Sequence, residues 1–360
     1  MQTRCIPDLG RPLTDTLKSL IRLSLSLGLM GLFLYLAFSG TPTDQLWHTL
    51  SGASPLWIAA MVAMTLGTVA LRAWRWTVLL RPSAPQVRVW DASVALAICY
   101  AANIVIPRSG EAARAVSLRW SRQAPIGASL ATVVVERILD MVILALFVGV
   151  AMALLQGRLE ATYPWIQPAA AVCLVGCAAL LCGLVLAHRH REATLSLARR
   201  LMSPLSKRLA ARMVDLIDTF LGGLAALRNR SAYLEILASS CLLNAGYVTI
   251  VYGGFRACDL AAIAPVGWTA ALVVMAVSSI GVVVPTPGGT GSYHLFFSQS
   301  LLLFGVPGAA ALACATLVHA MATLLYLALG GPGFLYQRHR AARAVAVHDS
   351  GEPPVQRCSP

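Results

Sequence analysis

Charged residues are scarce in this chain of 360 residues, where Asp, Glu, Lys and Arg together make up 12%. Soluble domains carry about 25%. Hydrophobic residues make up 58% of the chain, and a soluble monomer of that composition would expose large apolar patches. The composition therefore argues against an ordinary soluble enzyme, and it also excludes intrinsic disorder. It predicts a polytopic membrane protein.

Among the charged residues, lysine and the acidic residues are scarcer than arginine. Lys18 and Lys207 are the only lysines, and 28 basic residues face 15 acidic ones, which gives a formal net charge of +13. The basic residues lie between apolar runs and not on a separate domain, so we expect no nucleic-acid partner. Their placement is typical of the positive-inside rule of membrane proteins.

Patterns for metal, nucleotide or covalent chemistry are also lacking. The nine cysteines are scattered, so they indicate no disulfide framework. Cys173 and Cys177 share a helix face, but no His or carboxylate joins them as a metal ligand would. No Ser–His–acid order and no phosphate-binding loop stands out. We therefore expect no metal site, no cofactor and no catalytic residue.

Long apolar runs dominate what is present, and each must be helical in lipid. They lie at 20–39, 57–80, 90–106, 125–155, 166–187, 232–254, 265–285, 288–304 and 309–336. We predict an all-α transmembrane bundle of about seven to nine membrane segments. The run 20–39 is long for a signal peptide and is interpreted as an uncleaved first helix. A single membrane domain, 20–336, is expected between a cytoplasmic tail, 1–19, and a polar tail, 337–360.

Basic connections orient the chain. The segment 188–231 holds nine Lys/Arg against three acidic residues, which predicts a cytoplasmic segment of interfacial helices. The segment 72–90, with four arginines, is expected on the same side. The base-poor connections 40–56, 156–165 and 255–264 are expected outside. Both termini are then cytoplasmic.

Two runs, 90–106 and 288–304, are short for a full crossing. A re-entrant 90–106 would return the basic stretch 107–122 to the cytoplasmic side, whereas a full crossing would break the positive-inside rule. The segments 104–110 and 282–288 also resemble each other, since both read three branched apolar residues followed by Pro-x-x-Gly. Interrupted segments in two halves of a chain are a pointer to a transporter site. The sequence leaves crossing and re-entry open.

The first motif contains Asn103, Pro107, Arg108, Gly110, Glu111 and Arg114. Pro107 should end the preceding helix, and Gly110 permits a tight turn. Glu111 would open a new helix and could pair with Arg114 on one face. Arg108 would remain free for a phosphate or carboxylate. The alternative is a capped loop with snorkelling arginines.

The second motif, Glu136-Arg137-x-x-Asp140, lies inside the run 125–155. Asp140 can face either neighbour, because it lies three and four residues after them. Charges at membrane depth normally pair or line a cavity, so we expect this triad to be functional. The alternative places the triad at the headgroup boundary.

The third motif contains Pro285, Pro287, Gly288, Gly289, Gly291, Tyr293 and His294. The prolines break the helix, and the glycines let the backbone approach other groups closely. The freed N–H groups could form an anion nest, and His294 could donate to a phosphate or accept a proton. The alternative is a tight turn with a hydrogen-bonded histidine. His319 is interpreted as an interhelical hydrogen-bonding group.

At these three motifs the chain resembles the lysylphosphatidylglycerol synthase transmembrane-region family of flippase-like proteins. The family pattern Asn…Pro-x-x-Gly-Glu-x-x-Arg is matched from Asn103 to Arg114. The Glu-Arg-x-x-Asp triad and the late Pro-x-Pro-Gly-Gly-x-Gly loop follow in the same order. His294 departs from the Glu of many members. No soluble aminoacyl-transferase domain is expected, because only a short polar tail follows.

The resemblance implies a bacterial inner-membrane protein that moves an anionic lipid, a lipid-linked glycan or a hopanoid-type lipid between leaflets. In this hypothesis Arg108, Arg114 and Arg137 hold the headgroup, and the three motif carboxylates orient them. A membrane-embedded transferase using Glu136, Asp140 and His294 is the second hypothesis. A non-transporting accessory subunit for lipid- or glycan-synthesis enzymes is the third.

Overall fold

The computed structural model is a bundle of α-helices and describes residues 13–155, 157–202, 207–224 and 230–350. No strand occurs within these ranges. The helices are α1 (Leu13–Phe38), α2 (Thr43–Ser51), α3 (Pro55–Leu80), α4 (Val89–Val105), α5 (Gly110–Arg122), α6 (Ile126–Leu155), α7 (Arg158–Thr162), α8 (Ile166–Arg189), α9 (Arg191–Met202), α10 (Lys207–Gly223), α11 (Arg230–Ala257), α12 (Trp268–Val283), α13 (Ser292–Leu302) and α14 (Gly308–Ser350).

Five helices are long and apolar enough to cross a membrane, namely α3, α6, α8, α11 and α14. The end of α1 and the whole of α2 form a sixth candidate, bent by 91°. Two pairs of shorter helices form the hairpins described below. The predicted all-α polytopic bundle is confirmed.

Helices α3 and α11 give the bundle its two ends. The N–H of Ser54, just before α3, donates to the carbonyl of Ala257 at the end of α11, at 2.9 Å. At the other end, Arg81 pairs with Glu235 at 2.8 Å. The two helices are therefore antiparallel. We call the end at Arg81 the basic end, because α9, α10, Arg88 and Arg122 also lie there.

Helices α4 and α5 form the first hairpin. Arg122, at the end of α5, pairs with Asp91, in the first turn of α4, at 2.8 Å. Gln86 also donates to the carbonyl of Arg122, at 3.1 Å. The hairpin therefore begins and ends at the basic end, and its tip, 106–109, lies away from that end and is largely exposed. This hairpin has the geometry that the re-entrant alternative for 90–106 predicts.

Helices α12 and α13 form the second hairpin, which enters from the other end. The segment 258–267 connects α12 to the end of α11, opposite the basic end. Val306, just after the hairpin, packs in the same apolar cluster as Val266, just before it. The tip, 284–291, therefore points toward the basic end. The apolar runs 265–285 and 288–304 make one hairpin and not two crossings.

Several helix ends differ from the predicted segment limits. Helix α1 begins at Leu13, before residue 20, and α14 continues to Ser350, well past residue 336. The rest of the two predicted tails, 1–12 and 351–360, lies outside the described residues.

Within the predicted interfacial segment, α9 and α10 pack onto the bundle. A Cβ on Gly127 at the start of α6 would lie 2.6 Å from the carbonyl of Leu216 on α10. Leu195 of α9 and Leu221 of α10 lie in a buried cluster with Leu79, near the end of α3. The two helices therefore cover the basic end of the bundle as well as carrying its arginines.

Candidate functional site

Four arginines and three carboxylates form one network inside the bundle, which we call the charge network. Its members are Arg72, Arg75, Glu111, Arg114, Glu136, Arg137 and Asp140. They come from α3, α5 and α6, and two of these helices are candidate membrane spans. Four positive charges against three negative ones leave the network with an excess of one positive charge.

Glu136 lies at the centre of the charge network. Its Oε1 accepts from Arg72 Nε at 2.7 Å and from Arg75 Nη2 at 3.1 Å. Its Oε2 accepts from Arg114 Nη1 at 2.8 Å. The side chain of Glu136 is fully buried. A buried carboxylate is tolerated only with good partners, and here three guanidinium groups offset its loss of hydration.

Asp140 lies one turn further along α6 and binds two of the same arginines. Arg72 Nη2 donates to its Oδ2 at 2.6 Å, and Arg75 Nη2 donates to its Oδ1 at 2.7 Å. Arg137 Nη1 lies 3.7 Å from the carboxylate. The Glu136–Asp140 spacing therefore places both carboxylates on the face of α6 that meets α3.

The predicted pairing of Glu111 with Arg114 does not occur. Arg114 turns into the core, where it pairs with Glu136 and its guanidinium lies over the ring of Trp76, 4.7 Å from the centroid. Glu111 accepts instead from Arg137 Nη2 at 3.0 Å. Packing of α5 against α6 decides this, because it gives both Glu111 and Arg114 a partner on α6. Arg114 has no exposed surface here for a headgroup.

Arg72 and Arg75 are the network members that the sequence analysis missed. The segment 72–90 was expected to be cytoplasmic, but α3 continues to Leu80 and both arginines are buried within it. A signal was present: two arginines three residues apart inside the apolar run 57–80 share one helix face. Charges within a span normally indicate a paired site.

The tip of the first hairpin is built as the proline and glycine predict. Helix α4 ends at Val105, two residues before Pro107. A Cβ on Gly110 would lie 2.7 Å from Nδ2 of Asn103, so the close approach requires glycine. The N–H of Gly110 donates to Oδ1 of Asn103 at 2.8 Å. The side-chain amide oxygen of Asn103 thus closes the turn. The role of Asn103 in substrate binding stays a prediction.

Arg108 joins the two hairpin tips. Its backbone has a φ of 63°, which is uncommon for a residue with a side chain. Its Nη2 donates to the carbonyl of Val283, at the end of α12, at 3.1 Å. A Cβ on Gly288 would lie 3.8 Å from Cβ of Ile104. The two tips therefore meet directly, and the Arg108 side chain is exposed beside them.

Neighbouring helices cover the glycines of the second tip. Gly291 has a φ of 90°, and a Cβ there would lie 2.8 Å from the carbonyl of Met30 on α1. Gly289, with a φ of 77°, lies against Val282. The N–H of Gly291 donates to Nδ1 of His294 at 3.4 Å. The expected anion nest is therefore occupied by the chain itself in this structure.

His294, Tyr293 and His319 form a ring cluster beside the second tip. The two histidine ring centroids lie 4.9 Å apart, and those of Tyr293 and His319 lie 5.2 Å apart. Nε2 of His319 lies 3.3 Å from Oγ1 of Thr290. This contact joins α14 to the tip, so His319 has a hydrogen-bonding partner, but the partner lies in a loop and not on another helix as predicted.

Tyrosines lie between the charge network and the second tip. Tyr100 and Tyr326 stack with ring centroids 4.4 Å apart. Tyr247 accepts from Arg72 Nη1 at 3.4 Å. Tyr326 lies near enough to Arg72 and to Tyr293 to interact electrostatically with both. Four helices contribute these tyrosines, and no spacing in the sequence connects them.

In the part of the chain that the structure describes, no three His, Cys, Asp or Glu side chains come together as metal ligands would. Cys173 and Cys177 on α8 are free cysteines.

Candidate membrane-spanning helices, together with two shorter helical hairpins whose tips meet, define a multi-pass helical membrane protein. The family model for the lysylphosphatidylglycerol synthase TM region matches residues 20–330. The chain belongs to this family. This match agrees with the resemblance carried by the three motifs.

A curated relative is "Glycosyltransferase AglD" of Haloferax volcanii, which is 26% identical over 355 residues. The alignment covers 91% of this chain and 55% of the relative, so the chain spans about half the length of that protein. No solved structure matches the chain.

Proposed function

We propose that the chain translocates an anionic lipid or lipid-linked headgroup between the leaflets of the bacterial inner membrane. The observation that carries the proposal is the meeting of two oppositely directed hairpins beside the charge network. Each hairpin interrupts the membrane barrier from one side. Broken helices that meet at membrane depth are typical of transporter sites, and irregular backbone is tolerated there only against protein or a wet cavity.

The charges of the network support an anionic substrate. Its excess of one positive charge favours a headgroup with negative charge, and Arg108 adds a cation at the tips. Nε of Arg75 and both Nε and Nη2 of Arg114 are buried without a protein partner among the described residues. Buried donors without partners cost stability, so a rearrangement that gave them an anionic oxygen would be favourable.

The arginines also suggest an orientation. The basic end carries Arg81, Arg88, Arg119 and Arg122 together with α9 and α10. By the positive-inside rule we place this end in the cytoplasm. Helix α14 runs from the opposite end to the basic end, so its C-terminal part lies in the cytoplasm in this proposal. The first hairpin then opens to the cytoplasm and the second to the outside.

Translocation by purified protein tests the proposal. The chain would be reconstituted in vesicles of phosphatidylcholine and phosphatidylglycerol that contain fluorescent headgroup-labelled phosphatidylglycerol. A membrane-impermeant quencher then reports the outer-leaflet fraction over time. We expect Arg137→Gln to abolish translocation, because Arg137 is a half-exposed member of the network.

Arg81→Gln is the matched control. Arg81 is 49% exposed and makes a single ion pair, but it lies at the basic end outside the network. The Arg81→Gln variant should translocate the labelled lipid as fast as the unsubstituted chain does. Glu136→Ala should also lose translocation while still inserting as a monodisperse protein. Normal translocation by both network variants would reject the proposed site.

The relative's name favours a second candidate function. Because this chain corresponds to about half of a protein called a glycosyltransferase, it could act with, or as, an enzyme on lipid-linked glycans. The purified chain would be mixed with a polyprenyl phosphate and a nucleotide-sugar. Nucleotide release by the chain alone would favour an enzyme, and release only with a partner enzyme would favour an accessory subunit.

A further inference from the structure

An open groove lies between α6, α8 and α10, outside the hairpin tips. Its volume is about 610 Å³, within the range of about 300–1,000 Å³ typical of small-molecule sites. Apolar side chains line it, including Val134, Met141, Leu180, Ile217 and Phe220. Glu111 and Arg137, which form an ion pair, border the groove, but the surface that it exposes is apolar.

We propose that this groove is the lateral binding site through which a lipid reaches the charge network, with its anionic headgroup at Arg137 and one hydrocarbon chain along α6 and α8. The inference rests on the proposed function, because it names where the translocated lipid enters. Phosphodiester and phosphomonoester lipids share the required chemistry, which is an anionic oxygen attached to a long apolar chain.

Exposure identifies Arg137 as the first contact. The side chains of Arg114 and Arg75 are 0% and 1% exposed, and that of Arg72 is 11% exposed, whereas that of Arg137 is 40% exposed. Arg137 is therefore the network arginine that an anion at the edge of the groove can reach, while the apolar groove itself suits the hydrocarbon chain. Arg137 also lies 3.7 Å from Asp140, so a change at Arg137 is felt by the carboxylate that holds Arg72 and Arg75.

The outer wall of the groove leaves it accessible from the bilayer. Helix α8 is a candidate span, yet only Ile166, at its first position, is buried. Val172 and Val175 on the same helix are 73% and 70% exposed. Helix α8 thus packs on the bundle along one side only, beside α6. A hydrocarbon chain can pass beside it without leaving an apolar environment.

Photo-crosslinking tests the groove. The probe is phosphatidylglycerol with a diazirine in one acyl chain, added to the purified full chain in phosphatidylcholine nanodiscs, with crosslinked peptides identified by mass spectrometry. We expect crosslinks on the sides of α6, α8 and α10 that face the groove. Leu180→Trp should fill the groove and reduce these crosslinks severalfold.

The matched control is Val175→Trp, on the same helix but outside the groove lining. It should leave the crosslinks unchanged. Arg137→Gln should weaken competition by unlabelled phosphatidylglycerol by about tenfold, which corresponds to the loss of one charge-assisted contact. Equal loss with both tryptophan variants, or crosslinks spread evenly around α8, would overturn the inference.

The outcomes separate this inference from the proposed function. If Leu180→Trp leaves crosslinking unchanged while the network variants stop translocation, the groove is wrong and the function stands. If Leu180→Trp removes the crosslinks but the network variants translocate normally, the groove is a static lipid site and the proposed function is wrong.

Discussion

The α4–α5 hairpin and the α12–α13 hairpin enter the bundle from opposite ends and meet at their tips, but they are held by different chemistry. Ion pairs tie the first hairpin to itself through Asp91 and Arg122, and to α6 through Glu111 and Arg114. The second hairpin, 268–302, contains no Asp, Glu, Lys or Arg. Apolar burial, glycines and rings hold it instead.

This difference indicates a division of tasks between the hairpins. In the proposed function, the first hairpin carries the charges that an anionic headgroup would contact, and the second supplies a neutral surface at the tips. A site with charges on both hairpins would place more uncompensated charge at membrane depth, which is costly. The predictions below test this comparison, from the largest expected effect to the smallest.

Locking the tips together should have the largest effect. In a chain without native cysteines, Ile104→Cys with Gly288→Cys should form a disulfide on oxidation, since a Cβ at Gly288 would lie 3.8 Å from that of Ile104. This separation is typical of disulfides. If the hairpins must part for a headgroup to pass, oxidation should stop translocation and a reductant should restore it. Each single-cysteine variant is the control, and undiminished translocation in the crosslinked protein would show that the tips do not part.

Removing the central carboxylate of the charge network should have the second largest effect. Glu136→Gln leaves three buried arginines without their shared partner, and breaking a buried ion pair costs about 3–5 kcal/mol. Denaturant unfolding in detergent micelles should show a loss of stability of this size. Glu235→Gln breaks the exposed pair with Arg81 and should cost about 1 kcal/mol or less. Similar losses for the two variants would mean that the network does not stabilise the bundle.

Glycines in both hairpins should respond to alanine for different reasons. Gly110→Ala would place a Cβ against the Cys99 carbonyl and Asn103, and Gly291→Ala adds a positive φ of 90° to a close approach by Met30. Each should destabilise by about 1–3 kcal/mol in the same unfolding measurement. Gly176→Ala on α8 has nothing within 4 Å and should stabilise by about 0.5–1 kcal/mol.

The different response of the two hairpins to salt should be the smallest of these effects. The Asp91–Arg122 pair at the base of the first hairpin is partly exposed, with Arg122 at 25%, so ionic strength weakens it. Hydrogen exchange in 110–122 should speed up between low and high salt by an amount equivalent to about 1 kcal/mol or less. Exchange in 292–302 should not change. An equal response in both segments would contradict the assignment of ion pairs to the first hairpin alone.

Much of this arrangement could be predicted from local sequence. Pro107 and Gly110 mark the first tip because proline ends a helix and only glycine fits the close approach to Asn103. The Glu136–Asp140 spacing places two carboxylates on one face of α6. The short run 90–106 and its basic flank left two alternatives, and the ion pair between Asp91 and Arg122 selects the hairpin.

The pairing of charges was harder to predict from the sequence. Glu111 and Arg114 are suitably spaced to meet, yet each finds its partner on α6, because packing between helices outweighs a spacing that is worth only a few tenths of a kcal/mol. Arg72 and Arg75 were expected on the cytoplasmic side, because positive charges near the end of a span usually lie at the interface. Only the continuation of α3 to Leu80 placed them in the interior.

By itself, the sequence determined the all-helical membrane bundle, the positions of the two helix breaks and the presence of charges inside one span. These follow from hydropathy, proline and glycine, which act within a few residues. Tertiary structure alone decided that the two breaks meet, that three helices share one charge network, and that a groove leads to Arg137. Such contacts join residues far apart in the chain, and the geometry of helix packing fixes them.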